Sequence, residues 1–200
     1  MRHLPKAGRA DAVVARMKAA VFIERDGILN LCETAKGHQV QPLRLEQFKV
    51  NPEAKTLLAE LKKAGLLIIG TTVQPAPAKG LMSRNELDHM HAVLRRQLPV
   101  DDLFTCISDD PHHPCYKPQP GLFLEAAFKW GIDLDHSFVI SDKWQDAKAA
   151  QIAGCTSILI RSPWIGNDHH DFVTESFAAA VAKVVQLHAH PVLEPLFASA

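Results

Sequence analysis

Five short apolar runs, at residues 19–23, 66–73, 103–107, 137–140 and 156–160, limit what this chain can fold into more than any other feature. Each is too short for an ordinary helix, and none alternates strictly as a strand with one wet face does. Runs of this kind are strands buried on both faces, the mark of a parallel sheet covered by helices. Helical segments lie between them. Residues 52–64 place Leu57, Leu58 and Leu61 on one face and stop at Gly65. Residues 83–98 open with Ser83 and Glu86 at capping-box spacing. Residues 120–130 start with proline and stop before Gly131, and residues 145–153 stop before Gly154. Residues 172–188 are apolar and alanine-rich and predict a last helix. The alternation predicts an α/β, Rossmann-like three-layer sandwich with a central five-stranded parallel sheet.

Two hundred residues suit one domain, expected over 19–190, after a basic extension at 1–18 and before a tail at 191–200. The extension carries Arg2, Lys6, Arg9, Arg16 and Lys18 against Asp11, with a short helix expected over 11–17. It has no apolar stretch of the kind a secretory signal needs. Lysine plus arginine equals aspartate plus glutamate, 22 each, so no basic field points to nucleic acid. No run approaches the roughly 18 apolar residues of a membrane-crossing helix. Four cysteines make no disulfide framework, so a reducing cytoplasm is the expected setting. Cys32 and Cys155 read as small buried groups.

In parallel sheets ligands sit beyond the carboxyl ends of the strands. Glu24, Asp26 and Asn30 follow the first run; Thr72, Gln74 and Lys79 follow the second. Asp109, Asp110, His112, His113, Cys115 and Lys117 follow the third, and Asp142 and Asp146 the fourth. Together these make a phosphoryl-transfer kit. Glu24 and Asp142 supply the oxygen ligands that Mg²⁺ prefers. Thr72 offers a hydroxyl, and Lys117 a point charge for phosphate oxygens. Asp26, two residues past a candidate nucleophile, can move protons to and from the reacting oxygens. Alone, Asp142 would pass for a helix cap and Asp146 for a first-turn acid. His89 and His91 read as surface or half-buried helix residues, and His169 and His170 as solvated loop.

Four stretches in order carry a resemblance: Glu24-Arg25-Asp26-Gly27-Ile28-Leu29-Asn30, Thr72-Val73-Gln74 through Lys79-Gly80, Cys115-Tyr116-Lys117-Pro118-Gln119-Pro120-Gly121, and Ser141-Asp142 through Asp146-Ala147. Over about residues 19–160 the chain resembles the haloacid dehalogenase superfamily of phosphatases. It is most similar to the uncapped branch of heptose bisphosphate and histidinol phosphatases, which implies no large cap domain. The resemblance gives Glu24 the place of the nucleophile, an aspartate in the family, and Asp26 that of the general acid/base. It implies Mg²⁺ held by Glu24, the Asp26 carbonyl and Asp142. Thr72 and Lys117 take the phosphate-binding places, Asp146 supports the metal shell, and Asn30 is a further supporting residue. Lys79 and Tyr116 stand where arginines contact the substrate.

The departures cluster in the first two stretches. Glu24 carries its carboxylate one methylene further out, roughly 1–1.5 Å, and a misplacement of about 1 Å can cost on the order of 10²-fold in rate. Ile28 replaces a threonine, and Val73 and Pro75 replace polar residues. Of the zinc-loop ligands that relatives carry, only His112 and Cys115 have counterparts, so no zinc is expected. The expected activity is Mg²⁺-dependent hydrolysis of a small phosphorylated metabolite, sugar-phosphate-like, slowed by Glu24. The alternative is a catalytically silent member that binds a phosphorylated ligand or a protein partner.

Overall fold

The computed structural model describes residues 17–190, so the expected helix over 11–17 and the tail at 191–200 lie outside the described residues but for Met17. Strand β1 spans Ala20–Glu24. A connection follows that carries β2 (Asn30–Leu31), β3 (Glu33–Ala35), β4 (His38–Val40) and β5 (Lys49–Val50). Then come α1 (Ala54–Lys63), β6 (Leu67–Val73), α2 (Arg84–Gln97), β7 (Asp102–Cys106) and α3 (Gly121–Trp130). The described residues close with β8 (Phe138–Ser141), α4 (Trp144–Ala153), β9 (Thr156–Ile160), β10 (Phe172–Thr174) and α5 (Phe177–Ala189).

The central sheet has six strands, all parallel, in the order β10-β9-β8-β1-β6-β7. The expected five are present, and the sixth corrects the sequence reading. Phe172–Thr174 pairs with Ile158–Ile160 instead of opening the last helix, which starts after Ser176. Ser176 caps that helix by accepting the Ala179 N–H at 3.2 Å, so the strand and the helix are separated by a true N-terminal stop.

Strand β1 shows why its run has no alternation. Val21 and Ile23 pack with Leu58 and Leu61 of α1, Met90 and Leu94 of α2, and Val181 and Val184 of α5. Ala20 and Phe22 pack on the other side with Leu122, Phe123 and Ala126 of α3 and with Ala149 and Ala150 of α4. Both faces are covered, so both need apolar residues. The same parity turns Glu24 toward the α3–α4 face, where Lys117 and Asp146 lie.

Gly131 and Gly154 close α3 and α4 in the left-handed region, at φ 64° and 88°. Half of the expected capping box forms: Ser83 Oγ accepts the Glu86 N–H at 3.1 Å, while the Glu86 carboxylate accepts the Leu45 N–H instead.

The long connection at 31–51 is not a bare loop. It folds as two small antiparallel pairs, β2 with β5 and β3 with β4. The β3–β4 turn uses Lys36 and Gly37, both with positive φ (51° and 77°), the pattern of a tight hairpin. This hairpin stands over the strand ends in place of a cap domain.

Cys106 and Cys115 are joined by a disulfide, with Cα atoms 5.3 Å apart. Sequence density argued against disulfides, but the segment after β7 folds back on its own start and brings the two sulfurs together. The return is tight. The Gly121 N–H donates to the Pro114 carbonyl at 3.0 Å, and a Cβ on Gly121 would meet that oxygen at 2.2 Å. Gly121→Ala is therefore expected to destabilise the protein by about 1–3 kcal/mol, read as a fall in the urea midpoint at constant slope.

Candidate active site

The direction in which the chain crosses the sheet reverses between β1 and β8, and the carboxyl ends of these neighbours form the crevice where such sheets bind ligands. Glu24 closes β1, Asp142 follows β8, and Asp146 sits in the first turn of α4. Lys117 arrives from the segment between β7 and α3. All four side chains are buried.

Lys117 is the hub. Its ammonium donates to Glu24 Oε2 and Asp146 Oδ1, each at 2.5 Å, and to Thr71 Oγ1 at 3.0 Å. Burial alone would lower the Lys117 pKa, but Asp146 and Glu24 outweigh it and hold the amine charged. Burial raises the Glu24 carboxyl, and Asp146 and Asp26 beside it push the same way against the pull of Lys117. Two acids share one ammonium, so the second is reluctant to ionise. The other Glu24 oxygen, Oε1, accepts the Asp26 N–H at 3.2 Å, so the longer side chain bridges from its own loop to Lys117.

Lys143 is a second cation, one that the sequence reading passed over. Its ammonium donates to the Asp26 carbonyl and to Asp142 Oδ1, both at 2.6 Å. Glu24 and Asp142 raise its pKa against the opposing effect of burial. Gln39 of the β3–β4 hairpin donates from Nε2 to Asp142 Oδ2 at 3.2 Å. A Cβ on Gly27 would lie 2.2 Å from that same nitrogen, so the hairpin amide rests directly on the loop after β1. Asp142 does not cap α4; Lys143 occupies the N-cap position.

Asp26 faces another way. Arg25 Nη2 donates to both of its carboxylate oxygens, at 2.8 and 3.0 Å, and Gln74 Nε2 donates to Oδ2 at 2.5 Å. Burial would raise the Asp26 carboxyl, but the charge and hydrogen bonds of Arg25 prevail and hold it below the usual range. Thr72 lies 3.5 Å from Asp26 Oδ2 and accepts from Gln74 at 2.8 Å. It is Thr71, its neighbour, that bonds Lys117.

Arg25 stands between two acids in the sequence. It is fully buried, and Phe48 covers its guanidinium at 5.5 Å. His91, expected at the surface or half-buried, is buried and lies 3.0 Å from Arg25 Nη1. Arginine only donates, so His91 Nε2 is the acceptor and the ring is neutral. Burial, then Arg25, holds the His91 pKa down at about 3. Buried histidine at that helix position was a signal available only once α2 was known to pack its His91 face inward.

Asn30 is buried and ties the loop, with its Nδ2 donating to the Leu31 carbonyl at 3.1 Å. Lys79 lies apart from the acids, in the wall of a cavity of about 520 Å³. The hairpin strand His38–Val40 with Gln41 and Leu43 after it, the Pro75–Leu81 segment, Lys143, Gln145 and Trp164 form the rest of that wall. Tyr116 packs against the apolar layer under α3.

An all-parallel sheet in this order, with acids after β1 and β8 and a buried lysine between them, resembles the haloacid dehalogenase fold. The family model for HAD-hydrolase-like proteins matches residues 114–184. The chain also resembles the heptose bisphosphate phosphatases. The D-glycero-beta-D-manno-heptose-1,7-bisphosphate 7-phosphatase of Photorhabdus laumondii is 29% identical over 161 residues, 72% of this chain and 80% of that one. Its counterpart in Pasteurella multocida is 28% identical over 183 residues, 81% of this chain and 94% of that one. The solved D,D-heptose 1,7-bisphosphate phosphatase of B. bronchiseptica, complexed with magnesium and phosphate, superposes with a TM-score of 0.70 at 25% identity. That match covers 85% of this chain and 99% of the other. No helix among the described residues is long and apolar enough to cross a membrane.

Arg25→Met is expected to cost about 3–5 kcal/mol in urea unfolding, because it leaves the Asp26 charge buried without its partner. The His91 pKa lies below its unfolded value, so its neutral form stabilises the fold fully above about pH 6.5, and that stability is lost as pH falls toward 3. Unfolding at pH 7 and pH 4.5 should differ by about 2 kcal/mol more in the natural protein than in His91→Gln, which keeps an acceptor but does not titrate.

Proposed function

We propose that this protein hydrolyses the phosphomonoester of a small phosphorylated metabolite, sugar-phosphate-like, with Mg²⁺, and that Glu24 slows its turnover. The observation that carries this reading is the buried Lys117 ammonium, 2.5 Å from both Glu24 and Asp146 at the end of the central strand. Burying an ammonium and two carboxylates is expensive. The arrangement repays that cost as a site for a phosphoryl group, whose oxygens Lys117 would take from Glu24.

The donor set fits a hard cation. The Asp26 carbonyl and Asp142 Oδ1 converge on one point, held by the Lys143 ammonium at 2.6 Å from each. Asp146 Oδ2 is buried without a hydrogen-bond partner. These oxygens, with Glu24, would hold Mg²⁺, and Lys143, on its flexible stem, would turn toward the phosphate. Bound there, Mg²⁺ supplies Lewis-acid neutralisation of the phosphoryl oxygens. Lys117 orients the phosphoryl group and screens its charge. The Glu24 carboxylate then attacks phosphorus, Asp26 protonates the departing oxygen, and water releases the phosphate from Glu24 with Asp26 as base. Gln39 of the hairpin, which donates to Asp142 Oδ2, would orient that carboxylate.

One observation favours the silent alternative. Asp26 is ionised and chelated by Arg25, whereas a general acid must begin protonated. A binder of phosphorylated ligands would need Lys117 and the cation but no proton donor.

A phosphatase screen with Mg²⁺ separates the two. The hydrolase reading expects slow turnover by the natural protein, a gain on the order of 10²-fold in Glu24→Asp, and loss in Asp26→Asn. The silent reading expects Mg²⁺-dependent binding of inorganic phosphate by calorimetry with no turnover by the natural protein. A chain that binds neither Mg²⁺ nor phosphate defeats both.

A further inference from the structure

Cys106, His113 and Cys115 form a cluster that takes no part in the proposed hydrolysis. Their ligand atoms lie within 4.8 Å of one another. Three ligands fall short of the four that close a structural zinc site. The two sulfurs are bonded to each other and so have given up the thiolates a metal would need. We propose that Cys106 and Cys115 are a reversible thiol switch, set by exchange with a small-molecule disulfide, whose oxidised state fixes the segment presenting Lys117. The functional side of this switch rests on the reading of Lys117 as a phosphate ligand.

The placement supports it at both ends. Cys106 is the last residue of β7 and fully buried, and its carbonyl accepts the Gln74 N–H at 2.7 Å. That bond ties it to the residue whose side chain holds Asp26. Cys115 is half-buried and stands two residues before Lys117. The bridge therefore pins a mobile kind of element, an irregular connection, to the sheet immediately before the residue that enters the site. Closing a segment of 9 residues' separation removes most of its alternative conformations.

His113 gives the pair its chemistry. Its Nδ1 lies 2.9 Å from Cys115 Sγ, and the residue is exposed. In the reduced state that imidazole takes the Cys115 proton, and the thiolate attacks one sulfur of an external disulfide. One external thiol leaves, carrying the proton from His113. Cys106 then attacks Cys115 Sγ in the mixed disulfide and releases the second external thiol, which takes the Cys106 proton. Two protein thiols are oxidised and one external disulfide is reduced to two thiols. Reduction runs the same steps backwards.

The test uses the full chain, treated with glutathione disulfide or with dithiothreitol. After denaturation and alkylation, mass spectrometry should find Cys32 and Cys155 alkylated in the oxidised protein and all 4 cysteines in the reduced one. Reduction should speed amide exchange across residues 107–117. It should also weaken Mg²⁺-dependent binding of inorganic phosphate on the order of 3- to 10-fold, the cost of a partly populated competent loop. Cys115→Ser, and independently Cys106→Ser, should match the reduced protein whatever the treatment. Four alkylated cysteines after glutathione disulfide overturn the proposal. So does a bridge that forms yet leaves both exchange and phosphate affinity unchanged. A bridge that forms and slows exchange in a chain that never binds phosphate supports the switch and refutes the phosphate site.

Discussion

Two ammonium groups, that of buried Lys117 and that of half-buried Lys143, hold the carboxyl edge of this sheet together. Glu24, Asp26, Asp142 and Asp146 would otherwise face one another across neighbouring strand ends with little water to screen them. Lys117 spans Glu24 and Asp146, Lys143 spans the Asp26 carbonyl and Asp142, and Arg25 takes the Asp26 carboxylate. Each acid has a cation, and each cation has more than one acceptor. Buried charges are tolerated only on such terms. The layout also explains why the site tolerates a glutamate after β1: the extra methylene lets the carboxylate reach Lys117 while its other oxygen keeps the Asp26 N–H.

The parallel sheet was legible because burial on both faces writes itself into a strand as an unbroken apolar run, as in β1 and β6. The helices were legible from their stops at Gly131 and Gly154. β10 was not, because Phe172–Thr174 joins without a break in apolar character to the alanine-rich helix that follows. Its three residues carry too little pattern to declare a strand. The hairpin over the site was equally hidden. Its residues Glu33–Val40 are mostly exposed, and an exposed two-stranded pair needs no hydrophobic signature.

At the site, the acids and Lys117 were visible as residues at strand ends, and the structure brings Glu24, Lys117, Asp142 and Asp146 together. The groups that went unread are those whose role depends on direction. Arg25 sits between two acids in sequence, yet it turns into the core to reach His91 and Phe48. Lys143 follows Asp142 and folds back over it. Cys106 and Cys115 carry no spacing signal, since their meeting depends on how one irregular segment returns to its own strand. Residue type and order determine which elements form, but the pointing of a side chain is settled by packing that no local pattern contains.

The β3–β4 hairpin has a consequence for how such a protein can change its partners. A cap domain recognises a ligand with a surface of its own, built on its own core. On the proposed function, recognition would fall to short stretches of three separate connections, with Gln39, Lys79 and Trp164 among their side chains around one cavity. None of these three belongs to the apolar layers that hold the sheet and helices together. Substitutions at those three positions can redraw what fits the cavity without touching the apolar layers. Ligand preference in this architecture is thus free to drift at a rate set by exposed loops, while the charged floor beneath stays under the strict accounting of burial.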